Sequence, residues 1–234
     1  RSIVSVCVAG KVYSASIIQL CNDSTVGNCS IANIRTTYSI CPMPRPTVLL
    51  YPGAGTGCDH SSLVAIEERF GSKASVERRD FPYRREGRKA PDRAPKLMAS
   101  IRDDLRSFAR RRGPLVMGGR SMGGRMTTMV AADVDGGGPV DRLAGLILIC
   151  YPLHPPGKPE NLRIEHLVDI RVPCLFISGT RDPFGTPDEL QQWTATIPAP
   201  VDHVWIEGGR HDLKGADETI ASSVGRFVDQ LTTG

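Results

Sequence analysis

The chain has 234 residues, of which 40% are hydrophobic and 23% charged, and its formal charge is +4. That length gives one large domain whose core needs no disulfide or metal staple, and 24 glycines with 18 prolines suit a loop-rich α/β protein. The net charge is too small to mark a nucleic-acid binder, and no apolar run reaches the length of a membrane helix, so a cytoplasmic protein with neither kind of partner is expected.

The first residue is Arg1 rather than methionine, which reads as a fragment, a processed form or an incomplete reading frame, and no signal-peptide pattern opens the chain. Residues 1–43 are rich in Ser, Ile, Val, Thr and Cys and carry almost no charge. Ser2–Val8 and Lys11–Leu20 have strand character and join through Gly10. Two readings stand for this segment: a peripheral hairpin, or sequence that does not belong to the domain at 44–234. The sequons at Asn22 and Asn28 are taken as accidental. The seven cysteines match no zinc spacing, and Cys150 and Cys174 lie in apolar runs, so reduced, buried thiols are expected.

Pro46–Tyr51 begins a regular alternation of elements. It is strand-like, a glycine loop Pro52–Gly57 follows, and Ser61–Phe70 has helical periodicity. Ala74–Phe81 reads as the next strand, placed beside the Leu115 strand, and Pro82–Pro95 as a loop dense in arginine. Ala94–Arg110 is an amphipathic helix whose terminal arginines offset its dipole. After a short apolar strand from Pro114, Arg125–Ala132 is helical. Leu143–Tyr151 has the unbroken hydrophobicity of a strand buried on both faces. A Pro/His loop, a helix-like segment to about Val168, a strand at Pro173–Gly179, a helix at Pro187–Ile197, a strand at Val201–Ile206 and a helix at Ala216–Leu231 complete the chain. Strands alternating with helices predict an α/β fold with a mostly parallel central sheet and helices on both faces.

Strand, glycine loop, helix is also how a nucleotide site begins. A G-x-G-x-x-G fingerprint from Gly53 would need glycine at position 58, which is Cys58, and no Gly-Lys-Ser/Thr is present. No cofactor is therefore expected. Gly119-Arg120-Ser121-Met122-Gly123 instead fits the G-x-S-x-G nucleophile elbow, a strained strand-to-helix turn that exposes a serine hydroxyl.

Ser121, Asp182 and His211 each fall just past a predicted strand end, and in open parallel sheets those ends share one rim. Serine needs a base to become nucleophilic, His211 can supply it, and Asp182 can orient the imidazole. The backbone N–H of Met122 and one from Gly53, Ala54 or Gly55 are the candidate oxyanion donors. Each assignment has a plainer rival: Asp182 before Pro183 as a turn residue, with Asp212 and Asp188 as weaker acids. His154 and His166 read as structural. His60 either lines the pocket or starts a helix, and Arg120 either touches substrate or pairs with a carboxylate. Arg84 and Arg85, in the basic loop, either hold an anionic substrate group or form a solvated face. No metal is expected.

Five stretches then carry a resemblance: Pro52-Gly53-Ala54-Gly55; Asp80-Phe81-Pro82-Tyr83 with Gly87–Pro91; Gly119–Arg125; Tyr151–Gly157; and Gly179–Gly185. Together they resemble a branch of the α/β-hydrolase superfamily that contains dienelactone-hydrolase-like proteins, testis-expressed protein 30 and a subunit of the non-specific-lethal chromatin complex. The resemblance runs from about residue 46 to the end. It implies the α/β-hydrolase fold, a triad at Ser121, Asp182 and His211, and no specific substrate; Tyr83 is a candidate substrate-binding residue. One departure is Tyr51-Pro52, where relatives often carry histidine before the glycine loop. Some relatives are non-catalytic scaffolds. The resulting expectation is a serine hydrolase acting on a small ester, thioester or lactone, with a protein-interaction scaffold as the alternative.

Overall fold

The computed structural model describes the backbone of residues 2–8, 11–17 and 37–40 and the whole of 44–232, with the backbone of 233. The sequons and the side chains of Cys7, Cys21, Cys29 and Cys41 lie outside the described residues. Two compact units divide the chain, Arg1–Pro44 and Arg45–Gly234. In the first, β1 (Ser2–Val8) pairs antiparallel with β2 (Lys11–Ile17), which pairs antiparallel with β3 (Thr37–Ile40).

The second unit is built on β4 (Thr47–Tyr51), β5 (Ser75–Arg78), β6 (Leu115–Arg120), β7 (Leu143–Ile149), β8 (Cys174–Gly179) and β9 (Val201–Ile206). They form one sheet in the order β5-β4-β6-β7-β8-β9, every pair parallel. This is the predicted α/β architecture. Central strands covered on both faces must be apolar throughout, and β4, β6 and β8 are buried at every position.

Side-chain alternation along those strands makes two cores. Leu49, Tyr51, Met117, Leu146, Leu148 and Phe176 face α3 (Ala94–Ser107), α4 (Met122–Ala131) and α5 (Pro187–Thr194). Val48, Leu50, Val116, Ile147, Ile149 and Ile177 face α1 (Ser61–Phe70) and α6 (Asp217–Thr233). Each such side chain, removed from water, contributes roughly 1.5–3 kcal/mol, so the sheet is held from both sides.

Local chemistry sets the helix ends. His60 caps α1 by accepting from the Ser62 N–H, and Thr186 with Glu189 forms a reciprocal capping box on α5. Three elements differ from expectation. The arginine-rich loop contains a short helix, α2 (Pro82–Arg85), because Pro82 at its first position already holds the helical φ. The segment towards Val168 yields only a 3-10 turn at Leu167–Asp169. Finally, β5 lies at the edge beside β4, and β4 separates it from β6; the expectation that it neighbours the elbow strand is corrected. The chain steps from β4 outward to β5, then returns past β4 to β6 and continues the other way, so the order reverses between β4 and β6. Loops leaving the carboxyl ends of those two strands diverge there and leave a crevice.

Candidate active site

Ser121 stands in that crevice, between the end of β6 and the start of α4. Its φ of 50° and ψ of −115° cost a non-glycine residue on the order of 1–3 kcal/mol, and the surrounding fold supplies the constraint. One such constraint is its N–H, which donates to the Ile149 carbonyl of β7 at 2.7 Å. The flanking glycines have a steric cause. A Cβ on Gly119 would sit 2.2 Å from the Tyr51 carbonyl oxygen, and one on Gly123 would sit 2.4 Å from the same atom. Only a bare backbone lets the elbow close over the end of β4.

The loop after β8 carries Asp182 and the loop after β9 carries His211. Arg181 N–H donates to the Gly209 carbonyl at 2.9 Å, and Thr180 N–H to that of Ile206 at 3.0 Å, which zips the two loops together. His211 Nδ1 then lies 2.8 and 3.0 Å from the two oxygens of Asp182, and Nε2 lies 2.9 Å from Ser121 Oγ. With the Asp182 carboxylate accepting from Nδ1–H, Nε2 presents its lone pair to the serine hydroxyl. Asp182 also accepts from the Phe184 N–H at 2.9 Å, and the Phe184 ring stacks on the imidazole with centroids 3.9 Å apart. Arg120 approaches from the other side: buried to 5% exposure, it donates from Nη2 to the His211 carbonyl at 2.6 Å. Its role as seen here is to tie the histidine loop to β6.

Gly53 borders the serine, since a Cβ there would lie 3.5 Å from Ser121 Cβ. Ala54 and Gly55 continue that loop along the wall of the crevice, and Met122 opens α4, where a first-turn N–H has no carbonyl within the helix to bond. Tyr83 supports this loop from below. Its ring is buried, stacks on Phe81, which stacks on Tyr51, and its hydroxyl donates to the Ala54 carbonyl at 2.9 Å.

A cavity of about 660 Å³ opens above the serine, walled by the Gly53–Thr56 loop, Met122, Pro152, Phe184 and His211. Tyr83, Arg84 and Arg85 are not in its walls, because the β5 edge strand delivers them one strand further from Ser121 than expected. Part of the basic stretch around that strand and loop is paired locally: Arg78 with Glu67 at 2.7 Å, Arg79 with Glu77 at 2.9 Å, and Arg88 with Asp92 at 3.0 Å.

Among the described residues, the arginines that reach the cavity are Arg120, Arg125 and Arg163. Arg125 was legible as one helical turn beyond Ser121, since side chains at i and i+4 share a helix face; Arg163 comes from an irregular loop and gave no sequence signal. His60 caps its helix and also lines the cavity, and burial, then the Arg120 charge, lowers its pKa. His154 and His166 are buried, His154 Nδ1 lying 2.8 Å from the Pro155 carbonyl oxygen and His166 Nε2 2.8 Å from Thr128 Oγ1. Asp212 borders the cavity, Asp188 sits exposed on α5, and Asp182 takes the imidazole.

Among the described residues, the ligand atoms of Cys150, Asp182 and His211 gather within 4.8 Å. They fit a metal poorly. Burial pushes the Cys150 thiol up to about 12, which keeps it protonated, and the other two are already bonded to each other.

The sequence profile of the family described as Alpha/beta hydrolase domain matches residues 44–229. Among solved structures, Est1E from Butyrivibrio proteoclasticus superposes with a TM-score of 0.64 at 14% identity over all of both chains. An alpha-beta serine hydrolase homologue from Coxiella burnetii gives 0.63 at 13% identity over 97% of each chain. The type II thioesterase BorB from the borrelidin biosynthetic cluster gives 0.58 at 18% identity, covering 80% of this chain and 93% of its own. At these identities the likeness is one of fold.

Proposed function

The chain belongs to the alpha/beta hydrolase domain family, and from that premise we propose that it is a serine hydrolase cleaving a small ester, thioester or lactone through an acyl-enzyme. One observation carries the reading: the unbroken relay from Asp182 through His211 to Ser121, at 2.8 and 2.9 Å, opening on the cavity. The five motifs in register favour the dienelactone-hydrolase-like branch as its place within the family.

In the mechanism we infer, His211 Nε2 takes the hydroxyl proton as Ser121 Oγ attacks the substrate carbonyl carbon. The oxygen of the tetrahedral intermediate is met by the N–H of Met122 and one from the Gly53–Gly55 loop, donors already in place before charge develops. His211 returns the proton to the departing alkoxide or thiolate. Water, deprotonated by the same histidine, then attacks the acyl-enzyme, and Ser121 leaves with that proton as the acid is released. Asp182 holds the imidazole and stabilises its charged form at both steps.

A fluorophosphonate probe tests this directly. Labelling is expected at Ser121 and should vanish in Ser121→Ala, whose turnover of an ester should fall by several orders of magnitude, roughly 10⁴-fold or more. A folded wild-type protein that resists the probe would return the chain to the scaffold alternative.

A further inference from the structure

We propose that Arg125 and Arg163 form an anion subsite in the cavity, so that the preferred substrate is an ester or thioester bearing a carboxylate or phosphate. This rests on the hydrolase reading for the position of the scissile bond, but the subsite is defined by its own contacts.

Arg125 follows Ser121 by one turn of α4, and its N–H donates to the Ser121 carbonyl at 3.0 Å, so its side chain rises from the same helix face as the nucleophile. Arg163 arrives from the loop between β7 and β8. Its backbone is clamped on both sides: its N–H donates to the Leu153 carbonyl at 2.9 Å, and its own carbonyl accepts from the Tyr151 hydroxyl at 3.2 Å. Both side chains line the cavity with Arg120. Burial, and after it the charge of Arg125, lowers the Arg163 pKa, which places the two guanidinium groups within reach of each other's fields.

Two like charges brought together in a partly desolvated wall are unfavourable unless something answers them. Two other half-buried arginines are answered by carboxylates. Arg102 is held by Asp133 and Asp135, and Arg111 by Glu77. Among the described residues, Arg125 and Arg163 have neither an ion pair nor a side-chain hydrogen bond, and the Nε of Arg125 is buried without a partner. Asp212 is the exposed carboxylate of the cavity wall, and it belongs to the histidine loop. The donors are therefore unspent and planar. Such forks match the paired oxygens of a carboxylate or phosphate, and the apolar surfaces of Met122, Pro152 and Phe184 suit a short carbon chain between that anion and the ester.

The test has two arms on the full chain. In the binding arm, adipate and inorganic phosphate are titrated calorimetrically into wild type, Arg125→Gln, Arg163→Gln, Arg163→Lys and the charge-matched surface control Arg110→Gln. Saturable binding to wild type and the control, weakened about tenfold or more by either glutamine and less by lysine at unchanged melting temperature, supports the subsite. The stronger ligand says whether carboxylate or phosphate is preferred. In the kinetic arm, the mono-4-nitrophenyl ester of adipic acid is compared with its methyl-capped, neutral analogue. Wild type should favour the anion, and the ratio of the two kcat/KM values should fall about tenfold in each glutamine variant and shrink with added salt. Absence of saturable binding to wild type, or equal binding by the double glutamine variant, overturns the subsite. Failure of the hydrolase reading shows up separately, as a protein that binds adipate but is never labelled at Ser121.

Discussion

Asp182 has a side chain only 1% exposed and aims both oxygens at one imidazole nitrogen. A buried carboxylate arranged this way fixes the tautomer on which the serine depends, so Asp182→Asn, which can hydrogen-bond the wrong tautomer, should lower kcat by about 10⁴-fold while the fold stays intact. Ester kinetics beside a circular-dichroism melt would check it, and an equal loss of structure and activity would argue that Asp182 is merely a turn residue. His166 makes a different prediction at the same scale. Burial, with the nearby Arg125 charge second, lowers its pKa to about 4 in the folded protein, against an unfolded value of about 6.5. Between those values the unfolded chain binds a proton that the native protein refuses, so stability falls as pH drops from 6.5 towards 4 and this contribution levels off below it. The loss should approach about 3 kcal/mol. Because other groups titrate in acid, the readout is a difference: in urea melts the stability gap between wild type and His166→Gln should narrow from pH 7 to pH 4.5. A constant gap would mean that His166 takes up its proton without strain.

At the scale of elements, the elbow depends on how closely β4 passes beneath the start of α4. Helix propensity alone places the beginning of α4 near Arg125, whereas it begins at Met122 and runs through Gly123 and Gly124. Glycine is a poor helix former, and packing overrides that here because a Cβ on Gly123 would enter the Tyr51 and Pro52 carbonyls and one on Gly124 would crowd that of Gly119. Gly123→Ala should therefore push α4 off the sheet and displace the Met122 N–H. We expect probe labelling to drop at least tenfold, with a stability loss of roughly 1–3 kcal/mol from overpacking. A variant as reactive and as stable as wild type would show that the elbow has room the geometry denies it. The α2 turn and the position of β5 belong to this scale as well. Both were misjudged from sequence, since a proline-rich stretch does not declare whether its first proline ends a loop or starts a helix, and strand order is not written in any one strand.

For the whole molecule, the described cores draw on residues from Val48 onward, and the six-stranded sheet is complete within Arg45–Gly234. We expect a chain beginning at Met43 to remain folded and reactive with the fluorophosphonate. Inclusion bodies, or a melt that loses cooperativity, would mean that residues 1–43 contribute to the core.

Sequence by itself determined the fold class, because apolar runs of strand length alternating with amphipathic helices admit few arrangements other than a covered parallel sheet. It also determined Ser121, Asp182 and His211 as candidates, since each sits in a short turn with its own local glycine or proline chemistry just beyond a strand, and strand ends gather on one rim whatever the loop details. What it could not supply was part of the cavity's lining. Tyr83 was expected at the substrate and instead holds Ala54 from beneath, and Arg84 and Arg85 stay outside while Arg163 enters. Those outcomes turn on the place of β5 at the sheet edge and on the path of an irregular loop after β7. Both are set by packing between segments far apart in the chain, so only the tertiary structure decided which charges line the cavity.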